Sequence, residues 1–119
     1  MRIIVAGSRT FADYDRLAKA LDKLTDGWDR KEMTLISGHA KGADKLGEQW
    51  AEERRIMREI HHPDYQKHGE KLAPIIRNTE MVKSGADLAV VCWDGESKGT
   101  FDLMTKAKKA GIRVVLVRF

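Results

Sequence analysis

The sequence predicts an α/β fold: a single Rossmann-like, doubly wound domain built on a five-stranded, mainly parallel sheet. Short apolar segments alternate along the chain with longer segments whose apolar residues recur at helical spacing. The apolar segments are continuous, as in strands that are buried on both faces of a parallel sheet. The 119 residues show no repeat, linker or low-complexity tract, so we expect one domain over residues 1–119.

The first half of the chain predicts three strands and two helices. The expected strands are Arg2–Ala6, Met33–Ser37 and a weaker Ile56–Ile60. Asp13 is a suitable N-cap for the first helix, in which Leu17 and Leu21 share one face. Trp50 and Ala51 mark the apolar face of the second helix.

The third helix is expected to begin at Pro74, because proline is best tolerated in the first turn of a helix. The preceding segment, Tyr65–Ala73, is therefore predicted to be a loop. The helix would run to about Lys83, with four residues on or near its inner face: Ile75, Ile76, Thr79 and Val82.

The last part of the chain predicts a strand, a helix and a final strand. Asp87–Trp93 is the fourth strand and Lys98–Ala110 the fourth helix. Gly111 is a natural C-terminal stop for that helix, and Ile112–Val117 is the fifth strand.

Composition excludes several classes of function. No apolar run approaches the length of a membrane span, so no membrane partner is expected. The single cysteine, Cys92, lies in an apolar strand, which predicts a core thiol in a reducing, cytoplasmic setting. The four histidines lack metal-ligand spacing, and neither a metal nor a cofactor is expected. A net charge of +4 suits an anionic ligand without establishing a nucleic-acid surface.

The topology locates the candidate site. In open α/β sheets, ligands bind at the carboxyl ends of the strands, where the strand order reverses. With the order 3-2-1-4-5, this point lies between the first and fourth strands. Three loops meet there: Gly7-Ser8-Arg9, Ser37–Asp44 and Trp93–Thr100. Glycine and hydroxyl residues let a backbone approach phosphate oxygens, and a turn entering a helix favours anions.

Three charged residues have alternative interpretations. Arg9 suits a phosphate or carboxylate, or could pair with Asp13. Asp44 could bind ribose hydroxyls or simply favour the first turn of the second helix. Arg77 could reach the pocket or form a structural ion pair with Asp87.

The second loop, from Gly38 to Asp44, is Gly-rich but does not match the Walker A or G-x-G-x-x-G pattern. ATP hydrolysis of the P-loop kind is therefore not expected. His39 is the histidine that we place nearest the ligand.

In this order, the motifs resemble the SLOG superfamily, which joins the DNA-processing Smf/DprA proteins to the LOG phosphoribohydrolases. The chain is most similar to the small YspA-type branch of bacteria and phages. The resemblance covers nearly the whole chain and rests on four motifs: Gly7-Ser8-Arg9, Ser37–Asp44, Arg77-Asn78 with Met81, and Trp93–Thr100.

The resemblance implies a Rossmann-like domain that binds a nucleotide or a nucleotide derivative, as a sensor or binding module. LOG enzymes hydrolyse the N-glycosidic bond of nucleoside monophosphates, which is the first alternative function. Their loop carries Gly-Thr-x-x-Glu, and here Gly99-Thr100 is followed by Leu103 at the Glu position. Catalytic candidates are therefore Arg77, Glu96 and Asp102. DprA-like nucleic-acid binding is the second alternative.

The remaining candidates are ligand-binding residues on the three loops and the third helix, and the third helix could also mediate homodimerisation. The ligand-binding candidates are Gly7, Ser8, Arg9, Gly38, His39, Gly42, Ala43, Asp44, Asn78, Trp93, Asp94, Gly95, Ser97, Gly99 and Thr100.

Overall fold

The computed structural model describes residues 1–119 and contains five strands and four helices. The strands are β1 (Arg2–Gly7), β2 (Thr34–Ser37), β3 (Met57–Ile60), β4 (Leu88–Trp93) and β5 (Arg113–Arg118). The helices are α1 (Tyr14–Leu24), α2 (Ala43–Glu53), α3 (Tyr65–Lys83) and α4 (Lys98–Lys109). A 3₁₀ turn at Arg30–Glu32 precedes β2.

The strands form one sheet in the order β3-β2-β1-β4-β5, and every neighbouring pair is parallel. Strand β1 is central, with Ile4 opposite Ile36 of β2 on one side and Ala89 of β4 on the other. Strands β2 and β3 therefore lie on one side of β1, and β4 and β5 lie on the other. The predicted fold class and strand order are confirmed, and the order reverses between β1 and β4.

Alternation along β1 divides the core between the two faces of the sheet. Ile3 and Val5 are fully buried among residues of α1 and α2. Ile4 and Ala6 are buried on the opposite face, among residues of α3 and α4. Because helices cover both faces, β1 can be apolar at four consecutive positions without exposing any of them.

The start of α3 differs from the prediction, since Tyr65–Ala73 is helical rather than a loop. The Asp64 side chain accepts a hydrogen bond of 3.1 Å from the Lys67 N–H and caps the helix there. Helical geometry is interrupted only at Gly69, with φ 79° and ψ 170°. Pro74 therefore lies inside the second segment of a broken helix, and its sequence signal for a helix start was misleading.

The buried face of α3 is also shifted from the prediction. Ile75 is 41% exposed, and Ile76, Thr79 and Val82 are only half-buried. The buried residues are Ala73, Arg77, Asn78 and Met81. Two of these are polar, because this part of α3 packs where the carboxyl ends of the strands offer hydrogen-bonding groups.

None of the helices has both the length and the apolar character that a membrane crossing requires.

Gly42 lets α2 begin directly against the loop that follows β1. Its backbone has φ 91° and ψ −130°, a region that is essentially restricted to glycine. A Cβ atom there would also lie 2.5 Å from the Ser8 carbonyl oxygen, which is backbone and cannot turn aside. Both the conformation and the contact require the absence of a side chain.

We therefore expect Gly42→Ala to lower the free energy of unfolding by about 2–3 kcal/mol, measured by urea denaturation. Gly99→Ala is the matched control. A Cβ atom at Gly99 meets nothing within 4 Å, so that variant should stay within about 1 kcal/mol of the parent. Equal stability of the two variants would contradict the steric explanation.

Candidate functional site

A cavity of about 540 Å³ opens where the strand order reverses, at the carboxyl ends of β1 and β4. The loops after β1 and β4 line it together with the start of α2, part of α3 and the first turns of α4. The cavity contains these candidate residues: Gly7, Ser8, Arg9, Asp44, Arg77, Asn78, Asp94, Ser97, Gly99, Thr100 and Asp102.

Ser8 connects the loop after β1 to the loop after β4. Its N–H donates to the Cys92 carbonyl oxygen at 2.8 Å, and its Oγ accepts from the Asp94 N–H at 3.3 Å. The side chain is buried, whereas that of Arg9 is exposed along the cavity. Asp13 caps α1 by accepting from the Arg16 N–H at 3.1 Å, so it is engaged with its own helix.

The turn before α4 has fewer free N–H groups than the sequence suggests. Asp94 Oδ1 accepts from the N–H groups of Glu96 and Ser97, which holds the pKa of Asp94 below its ordinary value. Ser97 is the N-cap and accepts from the Thr100 N–H at 3.4 Å. The N–H groups of the first two helical residues, Lys98 and Gly99, have no intrahelical acceptor.

Trp93, Gly95 and Glu96 do not line the cavity. The indole Nε1–H of Trp93 donates to the Ser97 carbonyl oxygen at 3.0 Å, and the Arg118 guanidinium lies 5.4 Å from the centre of the Trp93 ring. Gly95 packs against Arg118 as well. Trp93 and Gly95 support the turn from behind, and the Glu96 side chain is exposed.

Arg77 crosses from α3 to the loop after β2. Its Nη1–H donates to the Gly38 carbonyl oxygen at 2.8 Å, and its Nε–H donates to Asn78 Oδ1 at 3.2 Å. Only 9% of the residue is exposed, and burial lowers the pKa of the guanidinium, opposed by the charge of Asp44. Asp87 accepts instead from the Arg2 N–H at 2.7 Å, so the ion pair between Arg77 and Asp87 does not form.

Gly38 contributes by lacking a side chain. A Cβ atom there would lie 2.7 Å from both Cδ and Nε of Arg77. The Arg77 side chain therefore lies directly on this part of the backbone.

Asp44 is buried beside the cavity, with 3% of the residue exposed. Burial raises the pKa of its carboxyl to about 6. The charge of Arg77 opposes that rise, as do backbone hydrogen bonds from Ala40, Gly7 and Gly38. Arg77 acts through its charge and not through a hydrogen bond, so both side chains retain bonding capacity toward the cavity.

Asn78 joins α3 to the start of α4. Its Nδ2 donates to the Gly99 carbonyl oxygen and to Asp102 Oδ2, each at 3.1 Å. Lys106 Nζ donates to the same Asp102 oxygen at 2.9 Å. Asp102 lines the cavity, but two neighbours already use one of its oxygens.

The candidates of the second loop, other than Asp44, lie outside the cavity: Gly38, His39, Gly42 and Ala43. The Nδ1 atom of His39 lies 2.9 Å from Glu48 Oε2, which also accepts from Ser37 Oγ at 2.7 Å. Glu48 is buried and was not singled out by the sequence, since a glutamate inside a helix carries no local signal of burial. These contacts hold the imidazole of His39 against α2.

Several lining residues were missed by the sequence analysis. Lys98 lies within the predicted turn and could have been found by its position beside Gly99. Tyr65 and Lys71 fall in the segment that was predicted to be a loop, so nothing placed them near the strand ends. The other lining residues outside the candidate set are Ala6, Thr10, Ala40, Pro74, Ile75 and Leu103.

The charges around the cavity are mixed with a small cationic excess. Its cations are Arg9, Lys71, Arg77 and Lys98, and its carboxylates are Asp44, Asp94 and Asp102. The arrangement can hold an anionic group at one place and offer a hydrogen-bond acceptor at another.

Sequence comparison identifies the family. The sequence profile of the "YspA, cpYpsA-related SLOG family" matches residues 1–68. The chain belongs to this family. The match spans β1 to β3 and includes the first two loops of the site, so the resemblance predicted from the motifs is confirmed.

Two proteins are similar to this SLOG-family member over nearly its whole length, one in sequence and one in fold. It is 36% identical over 123 residues to the Gene 61 protein of Mycobacterium phage D29, covering 96% of this chain and 94% of the phage protein. Its fold is similar to that of DNA processing protein A (DprA) from Streptococcus pneumoniae, with a TM-score of 0.71 and 19% identity. That alignment covers 97% of this chain but only 49% of the DprA chain, so the chain spans about half of DprA.

The raised pKa of Asp44 predicts a pH dependence of stability. The ordinary value is 3.8 and the folded value about 6, so the folded state binds more protons between these pH values. Stability should therefore fall as pH rises through this window and change no further above it. Relative to Asp44→Asn, the parent should lose about 2–3 kcal/mol between pH 4 and pH 7, measured by urea unfolding.

Other carboxyl groups titrate in both proteins and cancel in this difference. Parallel stability curves for the parent and Asp44→Asn would show that Asp44 titrates normally.

Proposed function

We propose that this SLOG-family protein binds a nucleotide or a nucleotide-derived small molecule in the cavity, as a sensor or binding module. The observation that supports it most is the pairing of two elements across the strand reversal. The loop with Ser8 and Arg9 and the start of α4 face the same cavity. A helix N-terminus beside a guanidinium is a suitable site for a phosphate group.

In this proposal, the phosphate binds at the start of α4. The N–H groups of Lys98 and Gly99 are the donors without intrahelical acceptors, and Ser97 and Thr100 bring hydroxyl groups to the same wall. The side chains of Arg9 and Lys98 add positive charge. Asp94 has already taken two other N–H groups, which favours one phosphate group at this position over several.

The sugar is proposed to lie at Asp44 and Arg77. A buried carboxylate can accept hydrogen bonds from ribose hydroxyls, and the remaining guanidinium N–H groups can donate to them. A second phosphate at this end would be repelled by the negative charge of Asp44. The Asp44 carboxylate also already accepts from three backbone N–H groups that an anion would otherwise use. Asp44 thereby favours a neutral, hydroxyl-bearing part of the ligand.

The size and charge of the cavity favour a small ligand over a nucleic-acid strand. A volume of about 540 Å³ lies in the range usual for small-molecule sites, roughly 300–1,000 Å³. Its mixed charges, four cations and three carboxylates, suit one anionic group better than a polyanion running through the cavity. Binding to nucleic acid is the alternative. Because the fold is similar to that of DprA, the test below includes a single-stranded oligonucleotide.

Thermal-shift and calorimetric titration with ribose 5-phosphate, nucleoside mono- and diphosphates and a single-stranded oligonucleotide will test the proposal. A ligand at 100 times its Kd should stabilise the fold by about 2.7 kcal/mol. We expect Arg9→Ala and Lys98→Ala to weaken binding of the phosphate ligand about 10-fold or more, because each removes a charged partner.

Lys109→Ala is the matched control, since Lys109 is exposed at the far end of α4 and lies outside the cavity. It removes the same charge and should leave the affinity unchanged. Equal losses in all three variants would indicate non-specific attraction, and the absence of stabilisation by any nucleotide would refute the proposed function.

Asp44 also supports a second candidate function, hydrolysis of the N-glycosidic bond of a nucleoside monophosphate. Leu103 occupies the position of the catalytic Glu in LOG enzymes, Glu96 lies outside the cavity, and Asp102 is engaged by Asn78 and Lys106. A carboxyl group with a pKa of about 6 can both accept and donate a proton near neutral pH. Water would supply the hydroxyl to the sugar and, through Asp44, a proton to the departing base.

Chromatography of nucleoside monophosphates after prolonged incubation with the protein will test this activity. If hydrolysis occurs, Asp44→Asn should reduce the release of free base at least 100-fold, since proton transfer by a positioned group contributes roughly 10²–10⁴-fold. Glu96→Gln should retain the activity of the parent. Release of base that survives Asp44→Asn would contradict the assignment.

A further inference from the structure

The wall of the cavity formed by α3 carries exposed apolar side chains beside its polar ones. Tyr65 is the only aromatic residue that lines the cavity, and Pro74 and Ile75 lie on the same helix beside it. Tyr65 is 44% exposed and Ile75 is 41% exposed. An aromatic ring and an aliphatic side chain that both remain open to solvent give an incoming ligand an apolar surface in a site that also holds charged groups.

The break at Gly69 sets the first turn of α3, which carries Tyr65, apart from the segment that carries Ile75. The backbone at Gly69 has φ 79° and ψ 170°, which only glycine adopts readily. A Cβ atom there would contact nothing within 4 Å, so space does not explain the glycine. Its role is the change of chain direction between the two apolar side chains.

The other tyrosine gives a useful contrast. The Tyr14 hydroxyl donates a hydrogen bond to Glu53 and accepts one from Arg54, and Tyr14 does not line the cavity. Tyr65 forms no such bonds, and it lines the cavity together with Arg77. Tyr65 therefore lines the same cavity as Asp44 and Arg77, the residues of the proposed sugar position, and 44% of its surface is exposed.

We propose that Tyr65 is the stacking surface for an aromatic base, with Ile75 and Pro74 completing the base-binding wall. This inference rests on the proposed function, because it assumes a phosphate at the start of α4 and a sugar at Asp44. It adds that the ligand is a nucleotide whose base contributes to affinity, rather than a sugar phosphate alone. Stacking is tolerant of sequence because every base presents a π face, so both purines and pyrimidines should benefit.

The test compares ribose 5-phosphate with AMP and UMP by calorimetric titration of the full chain. The parent should bind the two nucleotides more tightly than ribose 5-phosphate. Tyr65→Ala should weaken binding of AMP and UMP about 10-fold and leave binding of ribose 5-phosphate unchanged. Tyr65→Phe and Tyr65→Trp should retain nucleotide affinity, whereas Tyr65→Leu, apolar but not aromatic, should not.

The outcomes separate the two proposals. If ribose 5-phosphate binds as tightly as the nucleotides, or if Tyr65→Ala weakens all three equally, the phosphate site stands and the stacking role of Tyr65 is overturned. If neither the nucleotides nor ribose 5-phosphate bind to the parent, the proposed function fails and the role of Tyr65 fails with it.

Discussion

A guanidinium that is nine-tenths buried must find hydrogen-bond acceptors and a compensating charge, and the way Arg77 does so organises the cavity. The Gly38 carbonyl oxygen and Asn78 Oδ1 accept two of its N–H groups, and Asp44 supplies negative charge without a direct bond. These contacts join α3, the loop after β2 and the start of α2. Removing the guanidinium would leave the Asp44 carboxylate buried without its neighbouring cation.

Close backbone contacts make that arrangement possible. Gly38 admits the Arg77 side chain, and Gly42 admits the loop after β1. Gly7 is equally confined, because a Cβ atom there would lie 2.2 Å from the Cys92 carbonyl oxygen. Gly38 and Gly42 do not line the cavity, yet they determine how closely its walls approach. A glycine near a site can thus be required for the shape of the site without contacting a ligand.

Features that depend on local sequence patterns were predicted correctly more often than features that depend on contacts between residues far apart in the chain. The strands were predicted because continuous apolar runs and the βα alternation are local patterns, and the central position of β1 followed from the topology. The start of α3 was missed because Pro74 gave a stronger local signal than the Asp64 cap. The burial of Arg77 could not be predicted, since its partners lie 39 residues away at Gly38 and on α2.

The sequence by itself determined the fold class, the family and the three loops that follow the first, second and fourth strands, because each depends on local pattern or on motif spacing. The strand order was predicted from the Rossmann-like fold class. The tertiary structure decided which of these residues face the cavity. In the folded protein, the His39 ring contacts Glu48, and Asp94 accepts hydrogen bonds from N–H groups of its own turn. The tertiary structure also brought Tyr65 to the site, because the direction of a side chain depends on packing and hydrogen bonds between segments distant in the chain.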